Sequence, residues 1–446
     1  MNTANEAIRP YAEGFEALES GRTGNTPVWL TTLRHDAFAH FIKHGFPAAR
    51  DEDWKYTSTR SLEKRTFAPI MPSPVAVDTT VIEPVLFREA SQHTLVFVNG
   101  QYVPELGMPV SRIAGLRVTS FKRMLEQEPE LLETNLLPDS NWNDDPFTAL
   151  NTAFLSDGAV IEVSNDVQIE SPLQLIFVST SQTQSLVWHP RIIVKLGVKA
   201  KATLVETWFG LEGAANFTNS YTQVALGEAA VLEHLRLQRE SATDYHVSRV
   251  RVTQQHSSRY HSHTLNFGGL WVRNDLRTRL EASGAATVLN GLYLADKRRH
   301  VDNHTRIDHL APATTSDELY RGIINDHGRA VFNGKVVVAK HAVKTDAAQT
   351  NNNLLLSRQG EIDTKPELEI YADDVQCSHG ATIGQLDEQA LFYLRSRGLG
   401  LEEARGLLTG AFALTVLDRI APPELRGFAR RQLTAVLPQS VALESP

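Results

Sequence analysis

The chain of 446 residues has almost no cysteine: Cys377 stands alone. One thiol cannot close an internal disulfide, nor can it build a multi-thiolate zinc or iron–sulfur site by itself. A reducing, cytoplasmic setting is therefore the expectation. No stretch approaches the roughly 18 uninterrupted apolar residues of a membrane span. The opening "MNTANEAIRPYAEGFEALES" lacks the basic-then-apolar order of a secretory signal. Positive charge is also short. Lys and Arg total 44 against 52 Asp and Glu, and the net charge of -8 argues against a nucleic-acid binder. No glycine loop ending in Lys-Ser/Thr is found, so the chain is not expected to hydrolyse ATP itself. Membrane and nucleic acid are accordingly not expected as partners.

What is present is an ordinary globular composition, with 42% hydrophobic and 22% charged residues. The length suits two or three domains, or one large core with appendages that needs no covalent staples. Three zones are legible. Residues 1–146 read as mostly helical with a linker. "TTLRHDAFAHFIKHGFP" sets Leu33, Phe38, Phe41 and Ile42 at helical spacing before Gly45 and Pro47. "FAPIMPSPVAVDTTVIEP" is a proline-broken linker, and "SFKRMLEQEPELLETNLL" predicts a further helix. "TLVFVNGQYV" reads as strand, Asn99–Gly100 turn, strand.

Residues 147–385 change character. Short β-branched or alternating runs, punctuated by Gly, Asn, Asp and Pro, continue with almost no helical pattern. So long an all-β tract must close into a barrel or sandwich, or stack as a solenoid. Internal similarity favours stacking, because "LNGLYLA" (residues 289–295) returns as "FNGKVVVA" (residues 332–339). Each copy follows a glycine turn, at Gly284 and Gly328, with weaker echoes at Gly197, Gly227 and Gly360. The predicted fold is a mainly β solenoid of unequal turns, with helical regions over its ends. Residues 386–446 form the second helical region. Asp387 is a natural N-cap, Leu391, Phe392 and Leu394 give an apolar side, and Gly398 after Arg395 and Arg397 marks a stop. In "LEEARGLLTGAFALTVLDRI", apolar residues on more than one side predict packing against the chain's own core or a partner.

Three groups carry candidate chemistry. Cys377 and His379, in "DDVQCSHGATIGQLDE", would share one face of an extended segment, with Cα atoms roughly 6.5 Å apart. Thiolate and imidazole both ligate zinc or iron, but two ligands are half of a tetrahedral site; a buried thiol beside a turn histidine fits the spacing as well. A second group is histidine-rich: His261 and His263 could share a strand face, and His300, His304 and His309 follow. No glutamate stands at short range after the His-x-His, so scattered surface and turn histidines are the expectation. The third group is acidic. Asp373–Asp374 or Asp302 and Asp308 could pair for acid–base chemistry, but solvated turns explain them more simply.

The stretch "CSHGATIGQLDEQALFYLRSRGLGLEEARGLLTGAF" strongly resembles the SufB/SufD family of iron–sulfur cluster assembly proteins. "DEDWKYTS" (residues 51–58) and "ALNTAFLSDGAVIEV" extend that resemblance over essentially the whole chain, and the single cysteine resembles the SufD branch more than SufB. The resemblance implies a right-handed parallel β-helix flanked by N-terminal and C-terminal helical regions. It implies a scaffold without catalysis of its own, working in a SufBCD complex. SufB would pair through the β-helix, and the ATPase SufC would bind the C-terminal helices, with Leu407, Leu408, Phe412 and Leu414 as the contact residues. His379 and Cys377 would face SufB and hold iron or a transient iron–sulfur cluster shared with it, the chain alone keeping no stable cofactor. A free β-helix end leaves self-association open to the isolated chain. The competing reading from the residues is a stand-alone cytosolic β-solenoid enzyme, metal-dependent or acid–base.

Overall fold

The computed structural model describes residues 3–21, 26–69, 77–87, 93–108, 113–136, 145–180 and 183–437. Residues 70–76 of the proline-broken linker lie outside that set. The alternating runs wind into a β-solenoid of about eight turns. Each turn lays one strand on sheet A and one on sheet B, so hydrogen-bonded neighbours in each sheet are alternate strands in the chain. Pairing is parallel throughout the central rungs. Along sheet A, Phe217, Tyr245, Trp271, His300, Arg329 and Glu361 stand side by side. The rung is therefore between 26 residues (Tyr245 to Trp271) and 32 residues (Arg329 to Glu361) long.

This period explains the irregular repeat. "LNGLYLA" lies in the sheet B strand Ala286–Ala295, and "FNGKVVVA" begins in the sheet A strand Arg329–Val338. The copies are one and a half turns apart, so they occupy opposite walls. In both, the glycine points inward, where a large neighbour fills its space. A Cβ on Gly291 would sit 2.1 Å from the Tyr320 ring, and one on Gly334 would sit 2.1 Å from the Gln349 amide.

The corners stack as regularly as the strands. Lys199, Ala229, Ser257, Gly284, Ala313 and Lys344 all take positive φ, between 54° and 74°. The amides of Lys199, Ala229, Ser257, Ala313 and Lys344 donate to a carbonyl of the next rung, at 2.6 to 3.0 Å. Stacked hydrogen bonds offset the strain of left-handed backbone at non-glycine residues. Inside, one continuous apolar core runs from Leu95 to Ala372.

The helical zones do not cover the two ends, as the sequence suggests; they lie against the outer sheet faces. N-terminal side chains such as Phe15, Phe41 and Trp54 pack on Phe217, Tyr245 and Trp271 of sheet A. C-terminal Val416, Leu417, Phe428 and Leu433 pack on Leu235, Leu265 and Leu292 of sheet B. The reason is the pattern of the strands: these runs are apolar on both faces, and the outward leucines need a second layer. The helices are also tied down, with Gln432 donating to the Pro84 carbonyl at 2.9 Å. The "DEDW" segment is fixed by Trp54, which is buried under the Arg273 guanidinium 4.4 Å from its ring centroid.

Local expectations fare well. Helix Val28–His44 ends at Gly45 with φ 68°. His93–Val98 and Gln101–Tyr102 form the antiparallel pair about Asn99–Gly100. The predicted helix after Ser120 is two short ones, Phe121–Gln127 and Pro129–Leu136, broken before Pro129.

Gly291→Ala tests the inward packing. Overfilling against the Tyr320 ring should cost about 1–3 kcal/mol, read as a lower urea midpoint at unchanged m-value.

Candidate functional site

The solenoid's two ends differ. At the N-terminal end, antiparallel strands close both sheets: Leu116–Ser120 against Gly158–Val163, and Gln101–Tyr102 against His93–Val98. At the other end, Glu361–Ile370 and Gln376–Gly384 are the outermost strands of sheets A and B. Among the described residues, no strand pairs with their free edges. Unpaired N–H and C=O groups along nine or ten residues make an open template for a further rung. Apolar side chains cluster there too: Ile370, Tyr371 and Ile383 are exposed, and Phe392 and Tyr393 on the adjoining helix Glu388–Ser396 are 75% and 58% exposed.

Cys377 and His379 lie on this last strand, in register with Ala347 and Gln349. They share the inward-pointing face, as their spacing predicts. Cys377 is half-buried against the interior core. Burial, and then the Asp346 carboxylate, push its thiol up, which disfavours the thiolate. His379 is exposed at the mouth. Beneath it, Gln349 is in register with Glu318 and donates to that carboxyl at 2.7 Å. Burial pushes Glu318 up to about 7. Glu318, Gln349 and His379 thus form one inward column that ends at the open mouth.

No group of three or more His, Cys, Asp or Glu side chains able to hold a metal occurs among the described residues. Cys377 and His379 therefore offer two ligands and no more. An iron ion or cluster held there as cargo would need its remaining ligands from outside the described residues.

The other candidates resolve differently. His261 and His263 are not scattered surface histidines. Glu233, one rung back, accepts from His261 Nδ1 at 2.9 Å and from His263 Nε2 at 2.6 Å. Asn290 completes the cluster at His263 Nδ1, 3.2 Å away. Sequence reading looked for the glutamate after the histidines; it lies 28 positions before His261, in register with it. Nor are His300, His304 and His309 turn residues, since all three belong to strand His300–His309. Asp302 is fully buried, taken by Arg273 at 2.5 Å, by Thr57 and by His304 at 3.2 Å. Burial opposes its ionisation, but Arg273 holds it well below the usual carboxylate range. Asp308 is buried between Arg277 and Arg306. Asp373 and Asp374 are exposed, and Asp374 closes its turn through Lys344 at 2.5 Å.

The helix Glu388–Ser396 starts at Asp387, whose carboxylate accepts from Gln389 N at 2.8 Å. On Leu401–Leu417, Leu407 is 36% exposed, whereas Leu408, Phe412 and Leu414 are half-buried. Phe412 and Leu414 pack on the sheet B cluster, and Arg321 lies 4.6 Å over the Phe412 ring.

Two buried carboxyls give opposite pH signatures. Burial opposes ionisation of Glu233, but His261 and His263 outweigh it and hold the group at about 2, below its ordinary 4.5. Its stabilisation is complete above about pH 4.5 and lost as pH falls toward 2. Glu318 is raised, so stability falls as pH rises from 4.5 to about 7. In urea melts across pH 2–8, Glu233→Gln should be most destabilising above pH 5 and nearly neutral at pH 2. Glu318→Gln should flatten the decline between pH 5 and 8.

Comparison with known proteins agrees with this architecture. Residues 177–412 match the family model "SUF system FeS cluster assembly, SufBD core domain", and residues 5–175 match "SufBD protein N-terminal region". An iron–sulfur cluster assembly SufBD family protein of Synechocystis is 33% identical over 393 residues, 86% of each chain. The iron–sulfur cluster assembly protein SufD of Escherichia coli is 31% identical over 430 residues, 96% of each chain. SufD of Bacillus subtilis is 24% identical over 424 residues, covering 93% of this chain and 94% of its own. With a β-solenoid between helical regions and two family models matched in succession over residues 5–412, this chain belongs to the SufBD family of iron–sulfur cluster assembly proteins and is SufD-like.

Proposed function

We propose that this chain is the SufD-type scaffold subunit of a SufBCD complex, joined to SufB through the open end of its solenoid. The observation that carries the reading is that end. Two strands present free backbone edges, apolar side chains are exposed around them, and Cys377 and His379, two side chains able to ligate a metal, share the inward face of the last strand. A partner solenoid adding its own strands would satisfy the backbone groups and cover Ile383 and Tyr371.

His379 is the better ligand of the pair. It is exposed and can offer a neutral ring nitrogen to iron or to a nascent cluster, with sulfur ligands coming from SufB. Cys377 is set deeper and its thiol is disfavoured from ionising, which suits it to a supporting position until a cation arrives. The cluster or iron is cargo here, and the chain is a non-catalytic part of the assembly. SufC would dock on the C-terminal helices, where Leu407 is the exposed member of the predicted set and Leu408, Phe412 and Leu414 form its half-buried base. Motion driven by ATP in SufC would reach the mouth directly, because the helices Glu388–Ser396 and Leu401–Leu417 follow the last strand in the chain.

Co-expression with SufB and SufC tests this. The three chains should purify together, and failure of this chain to associate would sink the assignment. His379→Ala should leave the complex assembled while its iron retention falls about tenfold or more. Normal iron content in an intact variant complex would instead leave the chain a purely structural partner.

A further inference from the structure

We propose a second site, unrelated to the solenoid mouth: a groove on the outer face of sheet A that binds a small ligand carrying a diphosphate. The groove encloses about 700 Å³ between the Glu52–Trp54 segment and the strands of sheet A, a volume suited to a nucleotide-sized molecule. Its floor holds a cationic ladder. Arg251, Arg277, Arg306 and Lys335 are direct register neighbours on four successive strands. Adjacent strands are about 4.8 Å apart, so the ladder sets like charges face to face, which by itself is destabilising.

The acids around the ladder do not relieve it evenly. Asp308 accepts from Arg277 at 2.7 Å and from Arg306 at 2.8 Å, and Lys335 pairs with Glu369 at 2.6 Å. Arg279 pairs with Glu281 at 3.1 Å. Lys365 is shared by Glu52 and Glu367 at the far end of the groove. On the neighbouring column, Asp145 and Asp275 are bound by Arg249, and Asp275 and Asp302 by Arg273. Arg251 has no hydrogen-bonded or ion-paired acid among the described residues. Along the ladder itself, Arg251, Arg277 and Arg306 have one hydrogen-bonded carboxylate between them, Asp308, while Asp145, bound by Arg249, lies near enough to Arg251 to feel its charge.

The row of guanidiniums therefore has fewer directly bonded carboxylates than cations, although the groove as a whole also holds the acids paired above. Burial lowers the proton affinity of Arg277, Asp308 opposes this, and the charges of Arg306 and Arg251 add a smaller lowering. A diphosphate suits this row of cations, since its oxygens can accept from several planar guanidinium forks at once. Arg277 and Arg306 remain 30% and 40% exposed, so incoming phosphate can reach them. The aromatic rings at the groove, Trp54 and Tyr221, are buried, so recognition would rest on the phosphates and not on stacking.

Calorimetric titration of the full chain at low ionic strength, with inorganic pyrophosphate and separately with ADP, tests the proposal. Saturable binding is expected, weakening as salt is raised. Arg251→Gln and Arg306→Gln should each weaken it about tenfold, the equivalent of about 1.4 kcal/mol. Arg259→Gln, the same charge change on an exposed sheet B position, should leave it unaltered. Thermal melts identify any variant that fails to fold, and the other ladder variant then carries the comparison. Tighter binding of ADP than of pyrophosphate points to a nucleotide, and equal binding to the bare diphosphate. No binding of either at millimolar concentration overturns the site, as does equal weakening by all three variants. Binding of poly-L-glutamate without either diphosphate overturns it in favour of an acidic polypeptide.

Discussion

The whole molecule depends on the parallel hydrogen-bond ladder between rungs. Because every strand of the central rungs pairs with strands one full turn away on either side, each side chain there has its neighbours fixed at one rung's distance in sequence. The corners obey the same rule, with positive-φ residues stacked and their amides bonded to the next rung. Strand order, core and outer faces follow from this register. So does the main liability of the architecture: a ladder has to stop. Reversed strands stop it at the N-terminal end, and nothing in the described chain stops it at the other.

That asymmetry gives the chain its division of labour. Outward apolar residues attract helices to both sheet faces, which leaves the helices adjacent to the mouth without plugging it. Cys377 and His379 ride on the terminal strand, with no third such side chain grouped beside them among the described residues. The middle of sheet A keeps a polar outer surface, where the same in-register stacking aligns arginine with arginine.

Burial alone does not decide what an acidic side chain does in this fold. Asp302, Glu233 and Glu318 all leave water, yet their fates diverge. Asp302 is ionised by Arg273, Glu233 by two imidazole donors, and Glu318, deeply buried, has only an amide and a hydroxyl as hydrogen-bond partners and so holds its proton to about 7. Each of the three draws at least one partner from an adjacent rung.

Local physics was legible from residue order. The Asn99–Gly100 turn, the Gly45 stop and the Asp387 cap act within a few residues of themselves. The β class and the solenoid followed from punctuated alternation, the shared face of Cys377 and His379 from the two-residue period of a strand, and the SufBD family from motifs in the chain. The rest required the tertiary register. A rung whose length drifts between 26 and 32 residues cannot be counted from sequence. Glu233 between its histidines, Asp302 under Arg273, and the two "NG" copies on opposite walls were therefore invisible. The helices over the sheet faces, instead of the ends, escaped for the same reason: which side of each strand turns outward is set by pairing, and pairing is decided one turn away.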